Sequence, residues 1–427
     1  MSTPSIKVGQ GNWGIKAGNL LGYANTEKKF SPVEFTSTRA LNTATRVNAS
    51  GNIEIVNANI PRIDYFGGRA SLLVEPSVTN LAFNSADFTV SGTWVSGANT
   101  ISANVTATLD PAGTNTADKI IPTAVSTTHF ISNAQSIAFT SGTTYTVSVF
   151  SKAGGYDFLR IAFSTEVMPS SNRGASFNLT SGTVGDTQSG VTARIENYGN
   201  GWYRCSISRA ATVSITPSNP FFINSQNSDS ATSVTFTGDG TSGAFLYGAQ
   251  LETGSVATSY IPTTTAAVPR NADVVSVSGA VSGSIGQTEG TIYLDLTVLG
   301  KGSSSATRWV QIFGPSNNIG LGINSSNLFR SIVNTQSDTL LTAPLTSGVK
   351  VAWAYDATGT TCFINGTQYT LTTGGNQTMS SLTSIIIDGS ANIFLGFARI
   401  RAVSIYQTRL PNTTTDGSPS LQSITTL

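Results

Sequence analysis

Charge is the scarcest commodity in this 427-residue sequence. Asp, Glu, Lys and Arg together make 11% of it, against about 25% in ordinary soluble proteins. Exposed helix surfaces are built from long unbranched side chains, which lose little rotamer entropy there. A chain this poor in them has little material for helices. Clustered cations are missing as well: the formal net charge is +1 and there is no Lys/Arg run. That excludes the phosphate-neutralising surface a nucleic-acid partner needs. No stretch approaches the ~18 consecutive apolar residues of a membrane-spanning helix. The opening MSTPSIKVGQGNWGIK lacks an apolar signal-peptide core, so synthesis in the cytoplasm without a signal peptide is expected.

Histidine and cysteine are nearly absent: one His and two Cys. A Ser-His-Asp triad needs its histidine beside a nucleophile, and a zinc site needs several His or Cys ligands. His129, alone in TTHFIS, is read as a packing or surface residue on a strand. Cys205 and Cys362 each alternate with apolar neighbours in different domains, and are read as buried free thiols. Phosphate loops are missing too. Gly238-Asp239-Gly240-Thr241-Ser242-Gly243 has dinucleotide-loop spacing, but a strand pattern follows where a helix N-terminus would be needed.

The place of charge is taken by Ser, Thr, Asn and Gly, with 42 glycines. β-branched Thr on solvent faces with Gly and Asn in turns is the make-up of short-stranded β-sandwiches. The organising stretch is Gly238 to Pro262. Phe245, Tyr247, Ala249 and Leu251 alternate with Ala244, Leu246, Gly248 and Gln250. A regular strand places the first four on one face; Gly248 on the other suggests close packing or a bend. Other strands put Tyr145, Val147 and Val149 on one face, then Leu159, Ile161 and Phe163, then Tyr203, Cys205 and Ile207. The expected fold class is all-β: two antiparallel jelly-roll sandwiches in tandem, preceded by an extended N-terminal arm. Residues 1–71 are expected to be the arm, since they lack the apolar density for a core. Residues 72–265 make the first sandwich, 266–286 a small-residue linker, 287–410 the second sandwich, and 411–427 a polar tail. In the second sandwich Ile292, Leu294 and Leu296 share a face, as do Val349, Val351 and Trp353. Asn365-Gly366 signals a two-residue hairpin, because both positions need positive φ.

Several motifs point to a family. Asn80-Leu81, Asp87-Phe88, Trp94, Gly142 to Ser148, Gly201-Trp202-Tyr203-Arg204 and Gly248-Ala249-Gln250-Leu251-Glu252 together resemble the jelly-roll module of bacteriophage tail-fibre and head-fibre proteins. That module is similar to galactose-binding-like, carbohydrate-binding sandwiches. The C-terminal half resembles laminin-G-like, concanavalin-like jelly rolls, through Val351-Ala352, Tyr355-Asp356, Phe363 to Gly366, Leu395-Gly396, and Ile400 to Tyr406 with Leu410. The resemblance implies a virion appendage without catalytic activity. It implies attachment to other virion proteins through the N-terminal arm, assembly as a homotrimer, and adhesion to host-surface polysaccharide. A bacterial secreted or cell-surface adhesin is one alternative. A surface-glycan depolymerase is another: it would need two carboxylates, and spacing picks out no pair.

For sugar contact the sequence offers Trp309, flanked by Arg308 and Gln311, and Tyr369: an aromatic platform with polar neighbours. Trp353 shares a face with Val349 and Val351 and is read as core. No cofactor is expected. The laminin-G-like resemblance leaves room for Ca²⁺ near Asp356 and Asp388, though the six to eight oxygens it takes cannot be assembled from the sequence.

Overall fold

The computed structural model describes residues 3–9, 13–26, 29–168, 173–279, 281–301, 307–324, 328–334, 336–339, 348–369, 379, 381–387 and 396–426. They are β-strands with two short 3₁₀ turns and one five-residue helix. The chain is all-β, as its composition requires. It divides into two units that share the sequence unevenly. Unit 1 holds Met1–Asn42, Val56–Ser77 and Asn271–Leu427; unit 2 holds Thr43–Ile55 and Val78–Arg270.

Unit 1 has two sheets. In one, Gly290–Lys301 lies between Gly348–Asp356 and Gly396–Tyr406. Val349, Val351 and Trp353 face Leu296, Leu294 and Ile292 in register, and all six are buried. Asn365 and Gly366 turn the next hairpin with φ of 49° and 80°. In the other sheet Val274–Ser278, Ser384–Ile387, Thr307–Phe313, Asn318–Ile323 and Phe329–Val333 follow in spatial order.

The expected N-terminal arm is corrected here. Ile6–Gly9 pairs with Ala402–Ile405 of the long C-terminal strand, and Asn19–Thr26 continues that sheet. Lys29–Thr38 then runs from the first sheet into the second, pairing with Asn19–Thr26 at one end and with Val274–Ser276 at the other. Ile6, Val8, Leu20 and Phe35 belong to the unit 1 core. Ordering comes from a partner about 400 residues away in sequence, which local apolar density cannot reveal. The expected linker is also replaced by strands: Val268–Arg270 pairs with Val78–Asn80, and Val274–Ser278 with Ser384–Ile387. The polar tail ends in the helix Leu421–Thr425. Ser420 caps it with a reciprocal capping box, and Leu421 packs with Ala352, Ala354 and Phe363.

Unit 1 also contains a buried ionic knot. Asp273 accepts from Arg39 Nη1 at 3.0 Å, Arg62 Nε at 3.2 Å and the Glu75 amide at 3.0 Å, and also pairs with Arg62 Nη2. Arg62 Nη1 reaches Glu75 at 2.8 Å. Arg39 Nη1 also donates to the Ile60 carbonyl and Nη2 to those of Val56 and Asn57, while Nε is buried without an acceptor. These four side chains are almost wholly enclosed, so the pairing is what makes their burial tolerable.

Unit 2 is a sandwich of two six-stranded sheets with one short extra strand. The first runs Asn99–Ser102, Asp118–Pro122, Gly243–Thr253, Thr144–Gly154, Tyr203–Ala210, Thr192–Asn197. The second runs Trp94–Gly97, Thr127–Asn133, Phe221–Gln226, Phe158–Phe163, Gly174–Asn178, Thr183–Thr187, and Thr235–Phe236 joins it beside Thr127–Asn133. Val147, Val149, Leu159, Ile161, Phe163, Cys205 and Ile207 meet between them.

The alternation expected along Gly243–Thr253 fails at one point. Gly248 has φ of 61°, and the pairing with Thr144–Gly154 slips between Ser148 and Phe150. A bulge changes which face each later residue takes. Ala244, Leu246, Ala249 and Leu251 therefore all enter the main core. Phe245 and Tyr247 point the other way, into a cluster with Phe150, Trp202 and Tyr260. A methyl on Gly248 would sit 3.0 Å from Phe150 and 3.1 Å from Tyr260, so glycine fits both the conformation and the space.

Candidate functional site

The motif residues of unit 2 turn out to be a clamp rather than a site. Asn80 donates to the carbonyls of Ala249 (3.2 Å) and Ile261 (2.8 Å) and accepts from the amides of Ala82 and Leu251. Gln250 accepts from the Ile261 amide at 2.8 Å and donates to Glu252 at 3.0 Å. Glu252 also accepts the amide and hydroxyl of Thr258. Burial raises its carboxyl above the usual range, against the opposing charge of Arg204 and these hydrogen bonds. Arg204 donates to Thr258 and Ser148 and lies over the Phe150 ring at 5.1 Å. Trp202 donates to the Leu109 carbonyl at 2.8 Å. The clamp fixes the exit segment 255–262 against the sheet.

The expected sugar platform in unit 1 is corrected. Trp309 is 0% exposed and packs against Phe329 with ring centroids 6.2 Å apart. The register shifts between Arg308 and Val310, so Trp309 and Val310 both turn inward. A wholly enclosed indole offers no face to a pyranose. Arg308 lies across Gly320, where a methyl would meet its side chain at 3.0 Å. Gln311 is half-buried in the row between Gly320 and Ile386. Tyr369 sits opposite Cys362 and packs on the unit 1 core. These residues make no aromatic surface together.

Asp356, a candidate Ca²⁺ ligand, is occupied: it accepts the amide and hydroxyl of Thr358 and pairs with Arg409 at 3.2 Å. Asp388 lies outside the described residues. Among the described residues no group of three or more His, Cys, Asp or Glu side chains is placed to hold a metal. His129 is a packing residue, 0% exposed, with both ring nitrogens on backbone carbonyls, of Ala98 and Phe236. Both cysteines are buried and free.

A different surface gathers polar groups. In the second sheet of unit 2 the odd-numbered residues of Phe158–Phe163 face the core, so Arg160 and Ala162 face outward. Register places Ser132, Phe222, Ala162 and Gly174 side by side, with Phe130, Asn224, Arg160 and Ser176 in the next row. Phe130 and Phe222, both half-buried, meet edge to face at 5.4 Å. Phe130 lies across Gly97, where a methyl would fall 2.3 Å from its ring. The aromatic pair is the apolar half of the face.

The polar half centres on Arg160, only 2% exposed. Its Nε donates to the Ala231 carbonyl at 2.6 Å. Its Nη1 donates to Asn224 Oδ1 at 2.8 Å and to Ser233 at 3.3 Å. Guanidinium can only donate, which fixes the Asn224 amide with its oxygen toward Arg160 and its NH₂ away. The covering loop is held by carboxylates: Asp186 accepts the Ala231 amide and Asp229 accepts the Asp186 amide, both at 2.9 Å. Arg173 stands nearby, donating to the Phe163 carbonyl at 2.9 Å, and Gln188 receives the amides of Arg173 and Gly174. Periodicity alone does not mark this face. The signal present was an arginine inside the apolar run Phe158–Phe163; its partners on Phe221–Gln226 and Gly174–Asn178 are set by pairing alone.

No protein-family model matches the chain, and no curated protein matches it. Among solved structures it is similar to a sialidase carbohydrate-binding domain of Ruminococcus gnavus bound to α2,6-sialyllactose. There identity is 13%, coverage 33% of this chain and 84% of that one, and the TM-score 0.26. It is also similar to the LG1-3 region of the laminin α2 chain, at 10% identity, 66% and 65% coverage and TM-score 0.25. Trypanosoma rangeli sialidase gives 9% identity, 92% and 81% coverage and TM-score 0.27.

Proposed function

We propose that this chain is a glycan-binding protein that adheres without catalysing, and that it binds through the outer face of the Phe130–Phe222 sheet of unit 2. The observation that carries this reading is the juxtaposition on one face. A half-buried aromatic pair adjoins a row of hydrogen-bonding side chains across the small residues Ala162 and Gly174. Pyranoses present an apolar face to aromatics and hydroxyls to polar groups, and such a surface meets both. Two of the buried carboxylates are held in structural hydrogen bonds. Asp118 accepts the amides of Phe88 and Asn104, and Glu252 belongs to the clamp.

The finer reading rests on the motif resemblance. The protein would be a bacteriophage virion appendage, trimeric, meeting host-surface polysaccharide. Its attachment to other virion proteins would not use residues 1–71 as a free arm, since Ile6–Gly9, Asn19–Thr26 and Lys29–Thr38 are strands of the unit 1 sheets. A glycan array probed with the full chain and with Phe222→Ala tests the binding reading. Selective saccharide capture by the wild type, lost in the variant, is expected. Absence of capture, or capture unaltered by the substitution, would refute it. Electron microscopy of intact particles with labelled protein tests the virion assignment.

A further inference from the structure

Among the described residues Arg160 is a buried cation with no carboxylate partner. Arg173 is a neighbouring charge, and it repels. Enclosing an unpaired charge is costly, and here a second cation stands close by. Yet the guanidinium is held in place by three hydrogen bonds. Its remaining amino group, Nη2, lies over Gly174: a methyl there would be 3.0 Å from Nη2 and 2.9 Å from the Ala162 methyl. Among the described residues Nη2 has no acceptor, and it is not one of the sealed, unsatisfied atoms, so it retains contact with solvent. The neighbouring groups repeat the theme. The NH₂ of Asn224, turned away from Arg160, has no acceptor; Ser176 Oγ is sealed and has no partner. Arg160 Nη2 and the Asn224 NH₂ are thus donors without acceptors among the described residues, in the row next to Ala162 and Gly174. The sequence 169–172, Pro-Ser-Ser-Asn, adds no acid before Arg173.

We infer that this corner binds an anionic group, the carboxylate of an acidic saccharide unit, whose ring rests toward Phe222. The inference rests on the glycan-binding reading and names the substrate class of that face. A planar carboxylate matches a guanidinium edge and can take the Asn224 amide on its second oxygen. Burial and the Arg173 charge lower the Arg160 guanidinium to about 10, which leaves it cationic at neutral pH.

The test is calorimetric titration of the full chain with uronic-acid and ulosonic-acid oligosaccharides, their methyl esters, neutral oligosaccharides and sodium sulfate. At least one free acid is expected to bind about tenfold or more tightly than its ester, with the advantage shrinking as salt rises. Arg160→Gln is expected to remove that advantage, acid and ester then binding alike at whatever affinity remains, and to lower the thermal stability of unit 2 through the lost hydrogen bonds to Ala231, Asn224 and Ser233. Should that variant fail to fold, Arg160→Lys keeps the charge but not the planar fork, and loss of most of the preference is expected. Equal affinity for acid and ester, or a preference untouched by either variant, overturns the inference alone if neutral saccharides still bind. Sulfate displacing the acid at equal affinity assigns the corner to free inorganic anions and likewise overturns it. If no saccharide of any kind binds, the glycan reading falls with it.

Discussion

Asp273→Asn should be among the most damaging single-atom changes in unit 1. The carboxylate takes four donors from Arg39, Arg62 and the Glu75 amide, and its side chain is 3% exposed. Asparagine keeps the shape but removes the charge and presents NH₂ where an oxygen accepted. Arg39 would then have no carboxylate among the described residues, and Arg62 would keep Glu75. Breaking a buried pair by removing one partner costs about 3–5 kcal/mol, because the surviving charge stays enclosed. At roughly 2–4 °C per kcal/mol for a unit of this size, the unit 1 transition should fall by about 6–20 °C. Calorimetry gives the shift, and hydrogen exchange over Gly290–Lys301 shows that unit 1 is the part affected. Adding Arg39→Met to Asp273→Asn should recover part of the loss, since the orphaned charge is removed with it. A loss below ~1 kcal/mol, or no recovery in the double variant, would show that water reaches the knot and that the burial argument is wrong.

Other expectations follow from unit 2. Asn80→Ala removes two donated and two accepted hydrogen bonds, to Ala249, Ile261, Ala82 and Leu251, and should cost about 2–4 kcal/mol in denaturant titration. Gly248→Val forces a β-branched residue to positive φ against Phe150 and Tyr260; loss of ~2 kcal/mol or more is expected by the same assay. Glu252 has a raised folded-state pKa, so its stabilising contribution is present at acid pH and lost as pH rises past the ordinary glutamate value through the folded one. Glu252→Gln should therefore flatten the fall in stability between mildly acidic and neutral pH; an unchanged slope on denaturant melts would contradict the assignment.

Much of the fold was legible because strands in this chain are short and regular. The buried sides of Tyr145-Val147-Val149, Leu159-Ile161-Phe163 and Ile292-Leu294-Leu296 follow from period-two alternation alone, and so does the Asn365-Gly366 turn. The misreadings have two causes. One is the bulge, which shifts parity: Gly248 turned Phe245 and Tyr247 away from Ala249 and Leu251, and the slip at Trp309 drew a supposed platform into the core. The other is long-range pairing. Ile6–Gly9 looks like a coreless arm until Ala402–Ile405 is set beside it, and Arg160 looks like a stray charge until Asn224 and Ser176 flank it. Periodicity reports which side a residue takes, not which strand lies alongside.

The central claim is most directly tested by titrating isotope-labelled protein with fragments of host-surface polysaccharide and following backbone amides. Shifts centred on Phe130, Ala162, Gly174, Phe222 and Asn224 are the predicted result. Shifts confined to unit 1, or none at saturating saccharide, would contradict the account.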